Sequence, residues 1–522
     1  MRYLLTGKEA QAIDQYTMEQ MGVPSLVLME RAALEVARAA EREAKGLNGE
    51  NSLSQVRIRA VCGTGNNGAD GVAAARILFL KGYNAGALIL GDPGEGSKQF
   101  QKQLQIARSF GMPVYQAGEE QPLKLKAELV IDAIFGVGLS REVGGMFADW
   151  VRRINEERAA GKIRRVIAVD LPSGIHGGSG QVMGTAVKAD VTVTFGYEKL
   201  GTVLYPGRDY AGQVETADIG FSPAAVNLLE EIPACAYGPE DLARIPERKA
   251  YSNKGSFGRV LIVAGSANMC GAAFLCALGA YRMGAGLVKV LTVEENRQPL
   301  LQLLPEVILE TYTESQLMEG REEFRQMIDA QCQWADVVIL GPGLGSKEYV
   351  EYLVEDILTA ACTPVVVDAD GLNAIAAHPY LTSYFTENLI ITPHLGEMSR
   401  LTGEPIAQMK QDTAACAKSY ALRYGLTCVL KDAATVVASR DGEIYINTSG
   451  NSAMAKAGSG DVLAGVIGGL LALGMEEKES ARLGVYLHGR AGDLAAARSG
   501  PHGLLARELA DGLTKAAFNR GE

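Results

Sequence analysis

The 522-residue chain is short of several things, and each shortage removes a class of function. Its five histidines lie far apart, and its eight cysteines (62, 235, 270, 276, 332, 362, 416 and 428) form no C-x-x-C pair. A zinc site is therefore not expected, and cysteines scattered through apolar runs read as buried, reduced thiols. With no secretory-leader pattern, a cytoplasmic location is expected. No apolar run reaches the ~18–20 residues of a membrane span, so no membrane partner is expected. Lys and Arg form no dense stripe and the formal net charge is −11, which argues against nucleic acid, where phosphate neutralisation dominates binding. The phosphate-loop pattern G-x-x-x-x-G-K-[ST] is missing, and so is any short internal repeat.

Glycine, by contrast, is abundant, with 61 residues gathered at the ends of apolar runs. These runs form two series. The first includes "VRIRAVCG" (56–63), "AGALILG" (85–91), "ELVIDAIFG" (128–136), "RVIAVDLPSG" (165–174) and "ADVTVTFG" (189–196). The second includes "RVLIVAG" (259–265), "LVKVLTV" (287–293), "DVVILGPG" (336–343), "PVVVDADG" (364–371), "NLIITPH" (388–394) and "TCVLKDA" (427–433). Continuous apolar strands ending in Gly, Asp or Pro predict parallel sheets covered on both faces, with functional residues beyond the carboxyl ends of the strands. Between the series, residues 221–255 hold four prolines and no strand-like run. The expected fold class is α/β, with two three-layer domains at 1–225 and 241–522 and a linker at 226–240.

In the first half, Gly63, Gly65 and Gly68 satisfy G-x-G-x-x-G, and Asp92 follows at about the distance of a ribose-binding acid. Two features disagree with a plain dinucleotide loop. Asn66 and Asn67 crowd the turn, and Asp70 places a carboxylate where it would repel a pyrophosphate, unless it simply caps the helix. Two other strand ends carry Asp132, followed by Arg141 and Glu142, and Asp170, followed by Pro172 and Ser173. Asn67, Asp132 and Ser173 could offer oxygens to a hard monovalent cation. Asp170 could move a proton beside a bound substrate.

In the second half, "MAKAGSGDVLAGVIGGL" sets Asp461 behind Gly458, Ser459 and Gly460 and ahead of an apolar helix. Either Asp461 is an N-cap, or the amides of this turn face a phosphoryl group while the carboxylate takes a proton from an attacking hydroxyl. Glycine loops at 263–274 and 340–346, the segment "ITPHLGEMSRLTG" and the segment "LKDAATVV" accompany it. Taken singly, His394 reads as a loop histidine, Glu397 as the third-position partner of a cap and Lys431 as a solvated charge.

The combinations are more specific. "GNNGADG", "DAIFGVGLSRE" and "VDLPSG" resemble the epimerase module of the NAD(P)H-hydrate repair proteins. "GPGLG", "TPHLGEM" and "AGSGDVLAG" resemble the NAD(P)H-hydrate dehydratase branch of the ribokinase-like superfamily. The resemblance implies a Rossmann-like first domain and a ribokinase-like second one. It implies that Asn66, Asn67, Gly68, Ala69 and Asp70, with Gly136, Val137, Gly138, Leu139, Ser140, Arg141 and Glu142, hold the hydrated nucleotide, and that Asp170 acts beside it. Asn67, Asp132 and Ser173 match potassium ligands. In the second domain, Ala273, Gly343, His394 and Asp461 fall at the hydrate site. Lys431, Asp432, Ala433, Ala434, Thr435 and Gly460 fall on the adenine-nucleotide side. Two positions depart from the family pattern: Ala69 and Asp432 stand where glycine is usual.

The implied activity is repair of the hydrates NADHX and NADPHX, with ADP as co-substrate, Mg²⁺ and K⁺ as metals, and a homo-oligomeric assembly. The alternatives are a small-molecule kinase with a regulatory nucleotide-binding domain, and a first half serving only as a binding module.

Overall fold

The computed structural model describes residues 1–48, 55–117 and 125–518. The chain divides into two compact units, Tyr3–Pro233 and Ala234–Glu522, with Met1–Arg2 grouped with the second.

In the first unit the strands are β1 (Arg2–Leu5), β2 (Arg57–Cys62), β3 (Asn84–Ile89), β4 (Val114–Gln116), β5 (Leu129–Ala133), β6 (Arg165–Val169), β7 (Val191–Phe195), β8 (Glu198–Lys199) and β9 (Gln213–Ala217). Seven of them form a parallel sheet in the order β4-β3-β2-β5-β6-β7-β9. Strand order reverses at β2, so β2 and β5 flank the crevice where open α/β sheets bind ligands. Helices Ser25–Asn48, Asn66–Leu80 and Lys98–Ser109 bury their apolar stripes with one face of the sheet. Helix Gly145–Ala159 brings Trp150, Val151 and Ile154 to a second core that includes Val61, Leu88 and Val130. Alternate residues of β2 therefore enter opposite cores, as the pleat requires.

The second unit has β10 (Ala234–Ala236), β11 (Arg259–Val263), β12 (Leu287–Val293), β13 (Ile308–Tyr312), β14 (Val337–Leu340), β15 (Val365–Val367), β16 (Leu389–Ile391), β17 (Thr427–Leu430), β18 (Val436–Ala438) and β19 (Ile444–Ile446). The order is β13-β12-β11-β14-β15-β16-β17-β18-β19-β10. Strands β13 to β17 pair in parallel. The expectation of purely parallel pairing fails at β17-β18-β19, which is antiparallel. The turns there are too short for the crossover that a parallel connection needs. Residues 221–255 are not strand-free either, since β10 pairs beside β19.

Helix Ser459–Ala472 sets the second unit's geometry. Val462 through Leu471 are buried, and its glycines let it approach helix Cys270–Met283 closely. A Cβ on Gly465 would lie 2.1 Å from the Cys276 carbonyl oxygen, and one on Gly469 would lie 2.8 Å from Met283 Cβ. This approach fixes where the helix begins and what its first turn faces. Gly465→Ala forces that backbone contact apart and should destabilise the protein by about 1–3 kcal/mol, read as a lowered thermal unfolding midpoint.

Candidate functional site

The first unit holds a cavity of about 930 Å³ beyond the carboxyl ends of its central strands. Asn66, Asn67 and Asp70, the run Gly136–Glu142 and Asp170 all line it. Gly68 and Ala69 do not: both are buried within the helix, and a Cβ at Gly68 would strike the Gly63 carbonyl at 1.8 Å. That contact, not ligand approach, demands glycine at 68. Asp70 is not a cap either, because helix Asn66–Leu80 starts at Gly65 with no side-chain cap. Asp92 caps its own short turn, accepting from Gly94 N at 2.7 Å, and is absent from the cavity lining.

Asp170 adopts φ = +65°, a left-handed conformation that a non-glycine residue holds only under constraint. Its Oδ1 accepts from Thr194 Oγ1 at 3.0 Å, Phe195 N at 3.2 Å and Lys199 Nζ at 2.5 Å. Lys199, 2 % exposed, also donates to Thr194 Oγ1 and the Phe195 carbonyl. Three donors thus converge on one oxygen, and Oδ2 is left for another partner. Asp14 lines the same cavity, and burial followed by the nearby Asp170 charge raises its pKa. Burial, Asp170 and Asp14 raise that of Asp70 further. Sequence reading missed Asp14 and Lys199.

Beneath this cavity Asp132 and Ser173 are fully buried. Ser173 N and Oγ donate to the two Asp132 oxygens at 2.8 and 2.5 Å, and Phe135 N donates to Ser173 Oγ at 2.9 Å. Burial pushes Asp132 up to about 6 against these hydrogen bonds, and among the described residues no Lys or Arg pairs with it. Asn67 Nδ2 is buried without a partner, while Asn67 Oδ1 lies against Gly136. A carboxylate, a hydroxyl and an amide with no protein cation nearby are a donor set suited to a hard monovalent cation.

In the second unit, helix Ser459–Ala472 begins behind Gly458 at φ = +90°, and no side chain caps it. Asp461 stands in the first turn and is not the cap. The Gly460 and Asp461 amides are among the donors a helix start leaves unpaired. Asp461 is half-buried and pushed up to about 6, by burial first, then by Asp368 and Asp370 against the opposing Lys431 charge. Lys431 is not a solvated charge: its Nζ donates to Asp368 Oδ1 at 2.6 Å. Burial lowers its pKa, but Asp368 and Glu397 outweigh this and raise it. A Cβ on Gly460 would lie 3.4 Å from Lys431 Nζ and 3.7 Å from Asp368 Oδ2.

The Pro393 carbonyl accepts from Lys431 N, which sets His394 beside the lysine. His394 Nδ1 accepts from Gly396 N and Glu397 N, and Glu397 Oε2 accepts from His394 N at 2.8 Å. This capping box starts helix Leu395–Thr402 and puts the imidazole proton on the half-exposed Nε2. Gly343, at φ = +66°, packs against Met269 and Ala272, and the next turn's Gly345 N donates to Asp370 Oδ2 at 2.8 Å. Ala273 is fully buried, with no surface to offer a ligand. Asp432 and Ala433 are exposed, Ala434 is buried and Thr435 donates to the Asp432 carbonyl. His488, also missed, is buried and pushed down to about 4 by burial, so it stays neutral. Its Nε2–H donates to the Ser459 carbonyl at 2.9 Å.

Two α/β units, each gathering carboxylates and one paired lysine at its strand ends, have the architecture of a two-domain enzyme. Residues 25–201 match the family described as YjeF-related protein N-terminus, and residues 260–515 match NAD(P)H-hydrate dehydratase. A Bifunctional NAD(P)H-hydrate repair enzyme Nnr from Thermofilum pendens is 37% identical over 97% of this chain and 95% of its own. The Escherichia coli protein of that name is 34% identical over 86% and 82%. A Bacillus subtilis ADP/ATP-dependent NAD(P)H-hydrate dehydratase, co-crystallised with ATP and Mg²⁺, is 33% identical, covering 55% of this chain and 98% of its own with a TM-score of 0.47. The chain belongs to the bifunctional NAD(P)H-hydrate repair enzyme family.

The cap at His394 can be separated from any ligand role. His394→Ala should cost about 1 kcal/mol of stability and His394→Asp under half of that, since Asp restores the acceptor. Thermal midpoints with hydrate turnover decide: an equal loss of turnover in both variants assigns the ring itself to the substrate.

Proposed function

We propose that the first unit interconverts the two stereoisomers of NAD(P)H-hydrate and that the second dehydrates one of them at the expense of ADP. In the first unit the hydrated ring lies in the cavity, held by Asn66, Asn67, Asp70 and the 136–142 loop. Asp170 assists departure and return of the hydroxyl through its unbonded Oδ2. Asn67, Asp132 and Ser173 would hold K⁺, whose charge would offset the buried Asp132 carboxylate.

In the second unit Asp461 takes the proton of the ring hydroxyl as that oxygen attacks the terminal phosphorus of ADP, releasing AMP. The free amides of the first turn and the Lys431 ammonium stabilise the charge on the migrating phosphoryl group. A Mg²⁺ ion accompanying the nucleotide would supply further charge neutralisation. The ring nitrogen lone pair then expels phosphate, a better leaving group than hydroxide, and loss of a ring proton restores NADH or NADPH. Gly343 and His394 face the hydrate, and Lys431–Thr435 with Gly460 face the adenylate. The observation that carries this reading is the position of Asp461, inside an uncapped first turn and near the partly buried Lys431.

Asp461→Asn should lower ADP-dependent recovery of reduced cofactor at least about 100-fold and leave epimerisation intact, while Asp170→Asn should do the reverse. Cofactor absorbance and chromatographic separation of the isomers report the two activities; equal loss of both in a folded variant contradicts separate sites. Because Asp461 works ionised, dehydration should fall as pH drops through about 6.

The cation has its own signature. An acid whose folded pKa is raised, as that of Asp132 is, costs stability as pH rises from its ordinary value to about 6. Bound K⁺ returns that stability only where Asp132 is ionised. KCl should therefore raise the thermal midpoint more at pH 7.5 than at pH 5, relative to a tetramethylammonium control, and Asp132→Asn should abolish the difference.

A further inference from the structure

The turn after β15 carries two carboxylates on either side of a strained residue. Ala369 has φ = +49°, between the buried Asp368 and the half-buried Asp370. Backbone strain of this kind costs about 1–3 kcal/mol and persists only where surrounding contacts impose it. Here those contacts are specific. Asp368 Oδ1 accepts from Thr392 Oγ1 at 2.7 Å and from Lys431 Nζ at 2.6 Å, and Asp368 N donates to the Leu340 carbonyl. Asp370 is drawn the opposite way by Gly345 N and Asn373 Nδ2. Asp368 Oδ2 lies beside Gly460, at the start of the Asp461 helix.

We propose that Asp368 is a positioning residue for the second unit's reaction: it clamps the Lys431 ammonium against Gly460 and sets the charge state in which Asp461 works. The proposal rests on the dehydratase reading and adds to it a residue that touches neither substrate nor nucleotide in that scheme. The groups facing Asp461 are few. The β15 turn supplies Asp368 and Asp370, the residue after β17 is Lys431, and helix Cys270–Met283 supplies the buried Cys276 thiol; neutral His488, on helix Glu477–Gly503, donates instead to the Ser459 carbonyl of the same turn. Helix Leu395–Thr402 contributes Glu397, which acts on Lys431. Removing the Asp368 charge leaves Lys431 as the dominant neighbour of Asp461. The carboxylate is then more easily ionised and is a weaker base, and the lysine has lost its anchor.

The test uses the full-length protein and two readouts. Lys431 acetylation by acetic anhydride, followed by mass spectrometry, reports the clamp. The pH profile of kcat/KM for hydrate dehydration reports Asp461. Asp368→Asn should raise the Lys431 acetylation rate at least tenfold, slow dehydration at least tenfold and move the acid limb down by about one pH unit. Asp368→Glu should restore the limb toward the wild-type position. Thr392→Val keeps both charges, so it should raise acetylation about threefold and leave the limb in place; it decides the clamp if Asp368→Asn does not fold. Unchanged acetylation in a folded variant, or slower turnover with an unmoved limb in Asp368→Asn, overturns the proposal. A wild-type protein with no ADP-dependent dehydration overturns the parent reading instead, and the acetylation rates still decide whether Asp368 holds Lys431.

Discussion

Each unit buries more negative charge than positive at its strand ends, and in each a single lysine holds the arrangement together. Lys199 meets Asp170 in a cavity that also contains Asp14 and Asp70. Lys431 meets Asp368 near Asp461 and Asp370. Taking a lone carboxylate out of water is so costly that buried acids either pair or keep their protons. One ammonium can neutralise one carboxylate fully, so the others are left with raised pKa values. Acids balanced in this way near neutrality are suited to exchanging protons with a substrate.

The lysines can do this only because the backbone delivers them accurately. In the first unit Asp170, Thr194, Phe195 and Lys199 come from the end of β6, the end of β7 and β8, and form one closed set of hydrogen bonds. In the second, Lys431 is tied through its amide to Pro393 and through its ammonium to Asp368. The helix it faces is located by glycine contacts nearly two turns away, at Gly465 and Gly469. Packing deep in the helix pair therefore controls distances at the first turn.

Much of this was legible in the residues. The apolar runs located eleven strands, because parallel strands buried on both faces cannot hide their composition. The spacing of His394 and Glu397 disclosed the capping box, since that interaction lies within one turn. Asp461 as a cap was the wrong register: the chain turns at Gly458, and the acid falls inside the helix. Asp14, Lys199, Asp368 and His488 carried no signal, for a different reason. Each owes its position to elements distant in sequence, and neither periodicity nor a motif records which strand ends meet.

The bare backbone at Gly460 has a genetic consequence. A substitution there adds a Cβ at ordinary contact distance, 3.4 Å from the Lys431 ammonium and 3.7 Å from Asp368 Oδ2, so alanine fits without displacing the pair while a longer side chain meets it. Asp432, next to that lysine in the chain but turned to solvent, is under no such restriction.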